Sequence, residues 1–159
     1  MQKVARETAA LSFFLQKRKK KIIFILSFFI TSICYGDIAI ILNSANKGIS
    51  LSRTEVEAIF LKTQSHLSNG VTVVPYDQGQ TEPIRQTFYK LISGKSVVEM
   101  KTYWSRINFT GQGVPPTVLP NGEAVIKKVS TDTHAIGYVN ADLVKGSSAV
   151  SIALLLPTQ

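Results

Sequence analysis

The run Ile38-Ala39-Ile40-Ile41-Leu42 constrains this chain more than any other stretch. Successive apolar residues leave no polar face, so a strand here must be covered on both sides. The residues downstream supply the cover as helices. Residues 43–48 are polar and end in glycine, a loop composition. Ser52 then stands three residues before Glu55, the pattern in which hydroxyl and carboxylate reciprocally satisfy the free N–H groups of a helix start. Val56, Ile59 and Phe60 follow at helical spacing.

The same alternation continues. Asn69-Gly70 is a turn dipeptide, and residues 71–75 read as a second strand that Pro75 closes, because proline has no N–H for the ladder. Pro83 suits the first turn of a helix, where an N–H has no partner. Ile84, Phe88, Leu91 and Ile92 make that helix's apolar stripe, and Gly94 ends it. Ser96 and Glu99 repeat the capping pattern for a helix that turns Val97, Met100, Tyr103, Trp104 and Ile107 inward. Gly113, Pro115, Pro116 and Pro120 make residues 111–120 a loop. Residues 123–129 form a short helix, 136–139 a third strand and 149–156 a fourth. Strands alternating with helices predict an α/β domain around a mostly parallel sheet flanked by helices.

The formal charge of +8 would by itself suggest a nucleic-acid or membrane partner. Its location argues otherwise. Lys3, Arg6, Lys17, Arg18, Lys19, Lys20 and Lys21 against the single Glu7 put +6 of it within residues 1–36, which leaves +2 for the rest. No nucleic-acid partner is expected. The basic block precedes an apolar run over residues 22–33, interrupted by Ser27, Thr31 and Ser32, and then Cys34-Tyr35-Gly36. A positive region, a short apolar core and small residues before a Gly36/Asp37 cut describe a secretory signal peptide over residues 1–36. The alternative is an uncleaved anchor, although the run is shorter than the ~20 residues of a spanning helix. Cleavage leaves no stable membrane span. Cys34 is the only cysteine, so no intrachain disulfide forms; as a lipoprotein cysteine it follows Ile33, where a small residue is expected. The expectation is a periplasmic domain over residues 37–159, long enough for one core.

No catalytic constellation is visible, and the chain reads as non-enzymatic. His66 and His134 lack cysteine or histidine neighbours at metal-ligand spacing, so no metal is expected. No nucleophile elbow surrounds a serine. Gly111-Gln112-Gly113 lacks the third glycine of a dinucleotide loop and leads into prolines, so no cofactor is expected. Tyr103, Trp104, Phe109 and Tyr138 read as core aromatics, with a ligand platform as the alternative. Lys101 and Arg106 read as solvent-facing.

A set of short segments carries a more specific signal: Ile59-Phe60-Leu61, Asn69-Gly70, Val74-Pro75-Tyr76-Asp77-Gln78, Arg85-Gln86-Thr87-Phe88-Tyr89, Gly94-Lys95-Ser96, Tyr103-Trp104-Ser105-Arg106, Phe109-Thr110-Gly111 and Ala135-Ile136-Gly137-Tyr138-Val139. Their order and spacing, over roughly residues 38–145, resemble the small phosphate-transporter-type periplasmic binding proteins, relatives of the substrate-binding subunits of phosphate ABC transporters. The resemblance implies a single periplasmic-binding-protein-like lobe and an exported solute-binding role linked to ABC transport. It implies phosphate or another small oxyanion as ligand, and an ABC permease or another envelope protein as partner. With one lobe, a small ligand stays half exposed unless a second chain covers it.

The resemblance also nominates a site, the loop from Asp77 into the helix at Pro83, where unpaired N–H groups and the helix dipole favour an anion. Larger relatives carry an arginine and then Ser-Gly-Thr-Arg in this loop. Here Gln78 stands at the earlier arginine and Glu82, Pro83 and Ile84 at Ser-Gly-Thr, so only Arg85 matches. The ligand-binding set the resemblance implies is Asp77, Gln78, Gln80, Thr81 and Arg85. Glu82 adds a negative charge, Pro83 removes a donor and Ile84 removes a hydroxyl. In a purely structural reading, Thr81 caps the helix and Glu82 favours its dipole. The rival function is a ligand-free envelope protein-interaction module that keeps the fold.

Overall fold

The computed structural model describes residues 36–158. The expected signal peptide and Cys34 lie outside the described residues, apart from Gly36. Among the described residues five strands form one sheet in the order β3-β2-β4-β1-β5: β1 (Ile38–Asn43), β2 (Val74–Gln78), β3 (Thr117–Leu119), β4 (Ala135–Asn140) and β5 (Val150–Leu156). β2 runs parallel to both β3 and β4, whereas β1 runs antiparallel to β4 and β5. Four strands therefore point one way and β1, between two of them, points the other.

β1 is buried at every position, as its unbroken apolar run requires. Its alternating side chains feed two cores. Ile38, Ile40 and Leu42 pack with helices α1 (Arg53–Phe60), α2 (Pro83–Ser93) and α3 (Val97–Phe109). Ala39 and Ile41 pack on the other face with Val125 and Val129 of α4 (Gly122–Thr131). The result is three layers, with three helices on one face and one on the other. α4 lies close enough to β4 that a Cβ at Gly137 would collide with Val125 Cγ1, which is the physical reason for glycine inside that strand.

The capping boxes form as expected. Ser52 and Ser96 each accept from the N–H three residues on, while Glu55 and Glu99 accept from the cap N–H. Gly94 ends α2 in the left-handed conformation, at φ 70°.

Two sequence expectations are corrected. The second strand is not residues 71–75 but Val74–Gln78, running through Pro75. The Val74 N–H donates to the His134 carbonyl on the β4 side at 2.7 Å, so the next position faces the β3 side, where the ladder begins only at Tyr76. Pro75 sits where an N–H would have no strand to meet. The expected loop over residues 111–120 contains β3, three residues hemmed by Pro116 and Pro120 and without an apolar run to announce it.

Candidate functional site

β2 ends in Asp77-Gln78, and the pleat of a strand sends neighbouring side chains to opposite faces. The two residues consequently enter different environments. Asp77 turns to the three-helix face and is almost wholly buried. Its Oδ1 accepts from the Tyr138 hydroxyl at 2.6 Å and the Gln78 N–H at 2.8 Å. Its Oδ2 accepts from Arg85 Nε at 2.9 Å and the Tyr89 hydroxyl at 3.0 Å. Four donors saturate the carboxylate, the condition under which a buried charge is tolerated.

The donors are themselves fixed by the core. The Tyr138 ring stacks on Phe88 at 3.8 Å between centroids, and Phe60 meets both edge-on. Burial, and then the Asp77 charge, push both the Tyr89 and Tyr138 hydroxyls well above their ordinary value, so each remains a donor. Burial pulls the Arg85 guanidinium down, but the Asp77 charge and hydrogen bond outweigh it and the net shift is upward. Arg85 is thus a fixed cation. Its side chain is only 12% exposed, against the free first-turn arginine that helix position alone suggests. Nε is spent on Asp77, the guanidinium lies 5.3 Å from the Tyr89 ring centroid, and neither terminal nitrogen makes a hydrogen bond among the described residues.

Arg85 borders a groove of about 350 Å³ between α2, α3 and the approach to β3. Asp77, Gln80 and Arg85 line it from the nominated loop, and Lys101, Trp104, Ser105 and Asn108 from α3. Lys101 is exposed, as expected of it, but over the groove. Among the described residues only Asp77 brings negative charge to it, and it is enclosed.

Gln78 turns the other way. Its amide donates to the Tyr138 carbonyl at 2.6 Å, and it lines a smaller hollow of about 240 Å³ with Glu82, Asn121, Gly122, Glu123 and Asn140. There the starts of α2 and α4 meet. The dipoles favour an anion, but Glu82 and Glu123 oppose one. Glu82 therefore acts on this hollow and not on the groove of Arg85.

Of the nominated residues, the structure brings Asp77, Gln80 and Arg85 to the groove, places Gln78 in the hollow, and leaves Thr81 exposed and lining neither. Thr81 does not cap α2 either; Glu82 holds the N-cap position without a side-chain hydrogen bond, and its N–H closes a turn onto the Gly79 carbonyl at 3.0 Å. The aromatic set divides as well. Tyr138 and Trp104 are buried, Tyr103 is half-buried with its hydroxyl on the Leu61 carbonyl, and Phe109 is 92% exposed. Phe109 is not core. Sequence reading took Trp104 as core or platform and Lys101 as solvent-facing and passed over Ser105 and Asn108; the helical spacing of the four was the one available signal that they share a face. His66 bonds Ser65, and His134 the Thr72 carbonyl, at the far end of β2.

No family model and no curated protein matches the chain. Solved structures do. A Clostridium perfringens phosphate ABC transporter substrate-binding protein with bound phosphate aligns with a TM-score of 0.60 at 17% identity, over 76% of this chain and 45% of that one. An ABC-type phosphate transport receptor from Vibrio cholerae gives 0.56 at 16%, over 73% and 45%. PstS from Borrelia burgdorferi gives 0.57 at 14%, over 77% and 47%. The chain thus has the fold of phosphate-type substrate-binding proteins and spans less than half the length of those it matches.

Proposed function

We propose that this chain, one lobe with the fold of a transport receptor, is an exported domain that captures a small oxyanion in its basic groove and works with an ABC permease. The observation that carries the reading is Arg85: a cation oriented by Asp77 through Nε, with neither terminal nitrogen spent on another hydrogen bond among the described residues, in the wall of a groove that Lys101 also borders. A guanidinium held in one orientation offers paired donors to an oxyanion without further ordering cost. The structural neighbours are transport proteins, which supports the same class of function over an enzymatic one.

Calorimetric titration of the full chain with phosphate and sulfate tests the reading. Saturable binding is expected, weakened by Lys101→Ala and removed by Arg85→Lys, which keeps a cation beside Asp77 but loses the fork. Silence toward both ions sinks it. A second reading, an envelope protein-interaction module, is favoured by one observation: Glu82 and Glu123 stand at the two helix starts where a phosphate receptor would offer bare N–H groups. Co-purification of an envelope protein by a chain that binds neither ion would support it.

A further inference from the structure

We propose that the basic groove selects an organic anion, a phosphate or carboxylate group carried on a compact apolar body, over a bare inorganic oxyanion. The proposal rests on Arg85 as the anion contact and adds the class of ligand.

The donors of the groove come from α2, α3 and Gln80, and none comes from the approach to β3. Arg85 offers its terminal nitrogens, and among the described residues the side chains of Lys101, Trp104, Ser105 and Asn108 make no hydrogen bonds of their own. Apart from Gln80 and the enclosed Asp77, the remaining wall is apolar: Val97, Pro115, Pro116 and Val118 together with the indole of Trp104. A tetrahedral ion carries oxygens on every side, and those turned to proline and valine would lose water without gaining a partner. An organic anion meets both halves of the groove. Its charged end faces Arg85 and Lys101, and its body lies against the prolines and the indole.

Size agrees. A volume of about 350 Å³ falls at the lower end of the ~300–1,000 Å³ typical of organic-ligand pockets, far more than one oxyanion fills. The walls are also preorganised. Asp77 pins Arg85, and Trp104 is 8% exposed with its ring edge-on to Tyr103 at 5.0 Å, so little order is lost on binding.

Trp104 is the only tryptophan in the chain, so its emission reports on the groove directly. Phenyl phosphate, benzoate and inorganic phosphate, titrated separately into the full chain, make the test. Phenyl phosphate is expected to shift Trp104 emission and to bind at least tenfold tighter than inorganic phosphate, with Lys101→Ala weakening it at least threefold. Benzoate tighter than phenyl phosphate, with the same dependence on Lys101, also supports the proposal and assigns the charged group as carboxylate. Inorganic phosphate binding as tightly as either organic anion overturns the proposal and leaves oxyanion capture standing. Silence toward all three overturns the proposal, and silence toward sulfate as well overturns oxyanion capture. Binding that leaves the emission unchanged and is indifferent to Lys101→Ala puts the ligand elsewhere and overturns the proposal.

Discussion

The basic groove and the acidic hollow begin one residue apart, at Asp77 and Gln78, yet they are built differently. The groove is an extension of the core: its floor is a saturated carboxylate tied to Tyr89, Tyr138 and Arg85, and its wall holds Trp104. The hollow is a meeting of two helix starts rimmed by Glu82 and Glu123, and Gln78, Ile84 and Gly122 root it in buried structure. Charge in the groove is held by geometry, whereas charge in the hollow is set by side chains that can be exchanged without touching the core. Of the two helix-start features expected of an anion site, the fold keeps the position in the hollow and the cation in the groove.

The strongest way to break this contrast is Asp77→Ala. It leaves Arg85, Tyr89 and Tyr138 without their acceptor and should cost about 3–5 kcal/mol, the range for removing one partner of a buried pair. Urea unfolding reads it. A loss below about 1 kcal/mol would mean that the groove floor is not part of the core. Trp104→Ala should follow at about 3 kcal/mol, the low end for a buried tryptophan because one edge faces the groove. A near-neutral result would mark it as a surface platform. Gly137→Ala tests the packing of α4, which carries the hollow's rim; relieving the collision with Val125 should cost about 1–3 kcal/mol, visible as a lower thermal midpoint.

The hollow should respond in the opposite manner. Glu82→Gln with Glu123→Gln should leave stability within about 0.5 kcal/mol and release the helix dipoles, a gain of about 0.3–1 kcal/mol per carboxylate for an anion there. Phosphate-dependent shifts of the Asn121 and Gly122 amide resonances should then appear in the variant and stay absent in the native chain. Shifts already present in the native chain would erase the distinction between the two regions.

The smallest effect lies away from both. Ser52, first through its side chain, and Ser96, first through its backbone N–H, hold the Glu55 and Glu99 carboxyls below their ordinary 4.5. A depressed carboxyl contributes stability that is full above the unfolded value and is lost as pH falls through the folded one. The thermal midpoint should therefore drop below pH 4.5, and the drop should shrink in Glu55→Gln and Glu99→Gln. An unchanged acid slope would show that the caps add nothing measurable.

Much of the fold was written locally. The capping boxes, Pro83 at the first turn, Gly94 at the end of α2 and the apolar run of β1 each follow from contacts within a few residues. β3 and the true span of β2 were hidden because both depend on partners. Three residues between prolines become a strand only beside Tyr76-Asp77-Gln78, and Pro75 is admitted only because β3 starts late. The reversed direction of β1 is likewise a property of its neighbours.

The site divides along the same line. Sequence alone determined that a helix starts just before Arg85, since turn chemistry and the place of Pro83 are local; it closed the preceding strand at Pro75, short of Asp77 and Gln78. Only the tertiary structure decided that Asp77 and Gln78 serve opposite faces, that Arg85 is held instead of free, and that Glu82 opposes anions in the hollow and not beside Arg85. The physical reason is that a strand's two-residue period fixes which side chains part, while what each one meets is settled by helices from distant sequence: α3 brings Lys101 and Trp104 to the groove, and α4 brings Glu123 to the hollow.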